Sequence, residues 1–197
     1  NVFFASIGDF RPLLTPLFLE GIKTHLVCNP VFEQFITQVR RRLLEMLESP
    51  NPPLTLQERT ILASAIAHYA LYSEFILEMD DVERAKIDAL QKSVEHASGA
   101  QDAYRVAVLA CYVPLHTLAN AQELLALYKD SEPLGGVVHF HIEEPLLLQR
   151  TAADIPRVTE ISDRASLSVR EQYESFPYPR WKAIARDRLL REWQNDP

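Results

Sequence analysis

Thr55-Leu56-Gln57-Glu58-Arg59-Thr60-Ile61-Leu62-Ala63-Ser64-Ala65-Ile66-Ala67-His68-Tyr69-Ala70-Leu71-Tyr72 decides the fold class of this chain. Thr55 and Glu58 stand three residues apart. At that spacing an N-cap hydroxyl accepts from the third helical N–H while the carboxylate reaches back to the cap's own N–H. Behind them Ile61, Leu62, Ala65, Ile66, Tyr69 and Tyr72 recur at threes and fours, the period of a helix face. The pattern predicts a long helix that runs on through Phe75 and Ile76. Upstream, Ser49-Pro50-Asn51-Pro52-Pro53 is a stiff break that no helix crosses.

The same grammar extends in both directions. Asn29-Pro30 is an N-cap followed by proline at the first helical position, where a missing N–H costs nothing. Phe32, Phe35, Ile36, Val39, Leu43, Met46 and Leu47 then form one apolar stripe. Arg40-Arg41-Arg42 interrupts it; at ~100° per residue the three spread around the helix, and they are expected to form a solvated face. Downstream, Asp80 and Glu83 repeat the capping logic and open a shorter, more exposed helix that ends before Gly99. Residues 103–112 are almost apolar all round and predict the central, most buried helix, ended or kinked by Pro114. Asn120 with Glu123 is expected to cap a helix through Tyr128.

Residues 135–142 alternate enough for a strand, but no other segment would pair with one, so a helix through about Arg150, broken or kinked near Pro145, is expected. Ser162 or Asp163 caps a helix through Glu174, and residues 183–193 suit a terminal helix. The fold class expected is all-α, an irregular bundle of seven to nine helices without significant sheet. Residues 1–160 form the bundle; residues 161–197 add a capping helix, a Phe-Pro-Tyr-Pro-Arg-Trp arm and the terminal helix.

Composition bounds the partners. The 197 residues are 47% hydrophobic and 24% charged, enough for a substantial core in one domain of ordinary size, or one and a small appendage. Net charge is −7, but residues 1–163 hold 13 basic and 22 acidic groups, whereas residues 164–197 hold 7 and 5. An acidic body disfavours nucleic acid and anionic membrane as partners. The longest apolar run, residues 106–113, is far short of the ~20 residues a membrane span needs. Cys28 and Cys111 form no motif, both lie among apolar neighbours, and a reducing cytoplasm is expected.

The densest chemistry lies in Gln172-Tyr173-Glu174-Ser175-Phe176-Pro177-Tyr178-Pro179-Arg180-Trp181. Pro177 and Pro179 lack N–H groups and push the residues before them toward extended geometry. The arm is therefore expected to present Tyr178, Arg180 and Trp181 stiffly, an arrangement that loses little entropy when a ligand or partner is bound. This stretch resembles the signature just upstream of the catalytic core in tetratricopeptide-repeat-linked class I S-adenosylmethionine-dependent methyltransferases. The likeness reaches back through Ile161-Ser162-Asp163, Glu143-Glu144-Pro145-Leu146 and Tyr112-Val113-Pro114-Leu115-His116, and residues 32–47 read like the family's region between repeats and core. Ser175-Phe176 departs from it, since Glu-Asn usually precedes the first proline.

The resemblance implies a helical, non-catalytic piece of a larger enzyme, with partners in a C-terminal core, N-terminal repeats and, in one reading, a protein methyl acceptor. It implies that Tyr173, Tyr178, Arg180 and Trp181 lie near substrate or cofactor, with Arg180 able to grip a carboxylate bidentately. The cofactor itself is not expected in this chain. Gly8, Gly21, Gly99, Gly135 and Gly136 form no G-x-G pattern after a strand, which such a site requires. No 34-residue repeat is present. His139, His141, Glu143 and Glu144 are the one cluster with metal-ligand residue types; on a helix only His139 and Glu143 share a face, so no metal site is expected. The alternative to the methyltransferase reading is a helical interaction domain whose aromatic arm docks a protein; the arm as a purely structural staple is the plainer reading beside both.

Overall fold

A computed structural model gives the structure of residues 9–154 and 163–175. Among these, every regular element is a helix and none is a strand, the all-α class that the sequence predicts. The chain divides into two units, Asn1–Asp154 and Ile155–Pro197.

In the first unit, α1 (Pro16–Thr24), α2 (Pro30–Glu45), α3 (Leu56–Tyr72), α4 (Asp81–Val94), α5 (Ala103–Ala110) and α6 (Ala121–Tyr128) precede a continuous helical stretch. That stretch is α7 (Gly135–Val138), a π-helical turn (His139–Glu143) and α8 (Glu144–Asp154). The second unit contributes α9 (Arg164–Ser175). No helix among the described residues is long and apolar enough to cross a membrane.

Local chemistry sets the helix starts. The Asn29 side-chain oxygen accepts from Val31 and Phe32 N–H, the Thr55–Glu58 and Asp80–Glu83 capping boxes are complete, and Asp163 accepts from Ser166 N–H at 2.9 Å. Asn120 does not cap α6; its amide instead donates to the Val94 carbonyl at 2.9 Å, closing the end of α4.

The core lies around α3, which packs chiefly against α5 and α1. All residues from Leu62 to Leu71 are buried, so α3 is wrapped on every side. α5 is equally buried from Val106 to Ala110 and shares the centre with it. α3 stops at Tyr72, short of the predicted Phe75 and Ile76. The Phe75 N–H bonds the Ala70 carbonyl at 2.8 Å and the Glu74 N–H bonds that of Leu71 at 3.1 Å. This is the Schellman closure, a motif that normally places glycine in the left-handed region. Here Glu74 (φ 54°) and Phe75 (φ 58°) occupy that region instead, so no glycine marks the stop.

The predicted interruption near Pro145 takes the form of the π-helical turn before it. Proline cannot donate to the carbonyl four residues back, here that of His141. The His116 ring supplies the missing donor, its Nδ1 lying 3.2 Å from the His141 oxygen. At the other end of the stretch Gly135 is fixed sterically, because a Cβ there would stand 2.8 Å from the Lys129 carbonyl oxygen.

Candidate functional site

α9 is the helix predicted before the arm, and it carries Tyr173, the first of the predicted site residues. Tyr173 sits in its last turn with 60% of its surface exposed, and Val169, four residues earlier and on the same helix face, is 50% exposed. Tyr178, Arg180 and Trp181 lie outside the described residues. Asp163 starts this helix, and the backbone and hydroxyl of Ser166 hold its carboxyl below the usual carboxylate range.

Inside the first unit the arrangement is the reverse: ionisable groups are gathered and enclosed. Arg40 is 2% exposed, which corrects the expectation of a solvated face for the arginine run. Its guanidinium lies 4.1 Å above the centre of the Tyr112 ring and donates to the carbonyls of Leu77 and Glu78 in the connection between α3 and α4. Glu83 faces it at 3.8 Å. One Glu83 oxygen accepts from the Tyr112 hydroxyl at 2.9 Å; the other accepts from Arg41 Nε at 2.8 Å and from the Asp80 N–H at 3.1 Å. Of the three arginines only Arg42 matches the solvated reading, at about half exposure beside Glu45.

This hub is closed to chemistry. Every Glu83 oxygen is engaged, and burial lifts the Tyr112 phenol far above its ordinary value, with Arg40 opposing and Glu83 adding to the rise. A phenol held protonated in this way donates a hydrogen bond and does not act as a base. The pattern recurs at Arg59, whose guanidinium stacks 4.6 Å from the Tyr104 ring while the Tyr104 hydroxyl donates to the Leu43 carbonyl. Burial pushes the Cys111 thiol up to about 12, and it donates to the Ala63 carbonyl, so it offers no thiolate nucleophile. Cys28, expected among apolar neighbours, is exposed.

The histidine cluster divides between two faces. His139 pairs with Glu143 at 2.7 Å on the surface, whereas His141 is fully buried, its Nε2 lying 3.2 Å from the Ala67 carbonyl oxygen. Among the described residues no three His, Cys, Asp or Glu side chains converge to hold a metal. His68, Tyr72 and Phe140 complete an aromatic cluster beside them, with ring centres 5.6–6.4 Å apart.

Compared with protein-family models, curated proteins and solved structures, the chain finds no match.

Proposed function

We propose that this chain is a non-catalytic helical region of an S-adenosylmethionine-dependent methyltransferase, which supports or covers the active site of a catalytic core lying outside these residues. The observation that carries the reading is the Gln172–Trp181 signature, whose Tyr173 is exposed at the end of α9. Tyr173, Tyr178 and Trp181 would exclude water and pack on substrate or cofactor, and Arg180 would pair with a carboxylate. The enclosed Arg40–Glu83–Tyr112 hub fits a supporting role, because it spends its charges on joining helices. On this reading the partners are the catalytic core, tetratricopeptide repeats and a protein methyl acceptor, and the compartment is the cytoplasm. The chain alone is inactive and holds no cofactor.

Calorimetric titration with S-adenosylmethionine tests it. The 197-residue chain alone should give no heat of binding. Joined to its catalytic core it should bind, and Tyr178→Ala should weaken that binding. Binding by the core alone that neither the helical region nor Tyr178→Ala alters would refute the reading. A second reading, a helical interaction domain that docks a protein through the aromatic arm, is favoured by the exposed Val169–Tyr173 face. It predicts a core whose cofactor binding ignores the arm, together with a protein partner lost on Tyr173→Ala.

A further inference from the structure

The connection between α3 and α4, residues 73–80, is bent without the residues that usually bend a chain. No glycine or proline occurs from Leu54 to Ser98, and the helical pattern of α3 reads on through Phe75 and Ile76. The bend is made instead by two consecutive residues in the left-handed region, Glu74 at φ 54° and Phe75 at φ 58°. A side chain disfavours that region because its Cβ crowds the following carbonyl. Glu74 and Ile76 are both exposed, so their packing does not impose the turn. What holds it lies around them. The Phe75 ring meets that of His141 at 6.0 Å, Leu77 is buried, Arg40 donates to the Leu77 and Glu78 carbonyls, and Asp80 caps α4.

Straightened, the same residues would carry α3 directly into α4 as one helix. Within a single chain this would open the core, because α3 packs chiefly against α5 and Arg40 on α2 faces Glu83 on α4. Between two chains the same contacts re-form, since α4 and α5 of one copy fit α2 and α3 of the other as they fit their own. The complementarity is already present in the fold and needs no separate surface patch. A net charge of −7 slows the encounter of two copies but leaves the exchanged contacts unaltered. Short connections under strain favour exchange of this kind.

We propose that residues 73–80 are a domain-swap hinge, through which two copies of the chain exchange α4 to α8, with α3 and α4 fused into one helix in the dimer. The Arg40 bonds to the hinge carbonyls and the Asp80 cap favour the bent form and are given up on straightening. The monomer therefore prevails when the chain is dilute, and the dimer forms when folding chains are crowded together.

Refolding from urea at about 5 μM and about 500 μM, a span over which association competes with folding, tests the proposal by size-exclusion chromatography with light scattering. The dilute sample should be monomeric. The concentrated sample should contain a dimer that survives dilution in native buffer and reverts only after a second unfolding, because undoing the swap breaks the core. Glu74→Gly relieves the left-handed residue and is a poor helix former, so the dimer yield should fall about tenfold or more. Glu74→Ala, at the same exposed position, keeps the Cβ and favours the helix, so the yield should hold or rise. Asp80→Ala removes the stop before α4 and should also raise it. A chain that refolds only to monomer at the higher concentration overturns the proposal. So does a dimer that falls apart on dilution, or one that Glu74→Gly leaves undiminished.

Discussion

The group of side chains gathered around Glu83 and the helix α9 present their residues in opposite ways. The first group draws charged and phenolic side chains inward: Arg40 and Glu83 are both at least nine-tenths buried, with Tyr112 between them. α9 leaves apolar and aromatic side chains outside, with Val169 and Tyr173 each half exposed or more. Burying an ion pair seldom gains net stability over an apolar core, but it makes both partners necessary once they are there. Leaving an aromatic in water forgoes burial energy, which makes sense where something else is to cover it. The contrast gives the hub a structural duty and agrees with the proposal that the Tyr173 face of α9 meets a partner.

The hub is the first place to break this comparison. Glu83→Gln should remove ~3–5 kcal/mol, because it strips Arg40 and Arg41 of their shared carboxylate and leaves Arg40 charged in a buried site. Urea denaturation measures this, and a loss under about 1 kcal/mol, the range of exposed pairs, would show that the hub is not what joins α2, α4 and the segment after α5. Leu109→Ala, fully buried in α5, should lose ~2–5 kcal/mol by cavity formation. A melting curve that barely moves would place the core elsewhere.

A smaller effect lies at the start of α3. The backbone and hydroxyl of Thr55 hold the Glu58 carboxyl below its usual range. A carboxyl whose folded value is depressed contributes stability that is present above its unfolded value, about 4.3, and lost as pH falls through the lowered folded value. Below pH 4 the stability of Glu58→Gln should therefore fall less steeply than that of the unsubstituted chain. Parallel pH profiles would show that the capping box adds nothing there.

Much of this architecture is legible in the sequence, because caps and periodicity are local. Asn29, the Thr55–Glu58 and Asp80–Glu83 boxes, and the apolar run of α5 act on their own turns of helix. What escapes depends on residues distant in the chain or on unusual backbone. Glu83 has an evident local role as a capping residue, which conceals its second role as counter-ion to arginines on α2. Arg40 consequently reads as solvent-facing. The end of α3 is hidden because Glu74 and Phe75 adopt a conformation that glycine usually announces. α1 has Gly21 inside a span of only nine residues, too few turns for periodicity to register. His116 cannot be linked to the π-helical turn until folding brings its ring to the His141 carbonyl. Of the candidate site, Tyr173 is exposed in the last turn of α9, and Tyr178, Arg180 and Trp181 lie outside the described residues.

The division of labour between the hub and α9 is tested most directly by Tyr173→Ala in the chain joined to the catalytic core proposed for it, with melting temperature and methyl transfer per folded molecule measured on the same sample. An exposed side chain contributes little to folding, so the melting temperature should stay within a few degrees while transfer falls at least tenfold. Unfolding with normal transfer by the folded fraction, or no change in either quantity, would contradict the account.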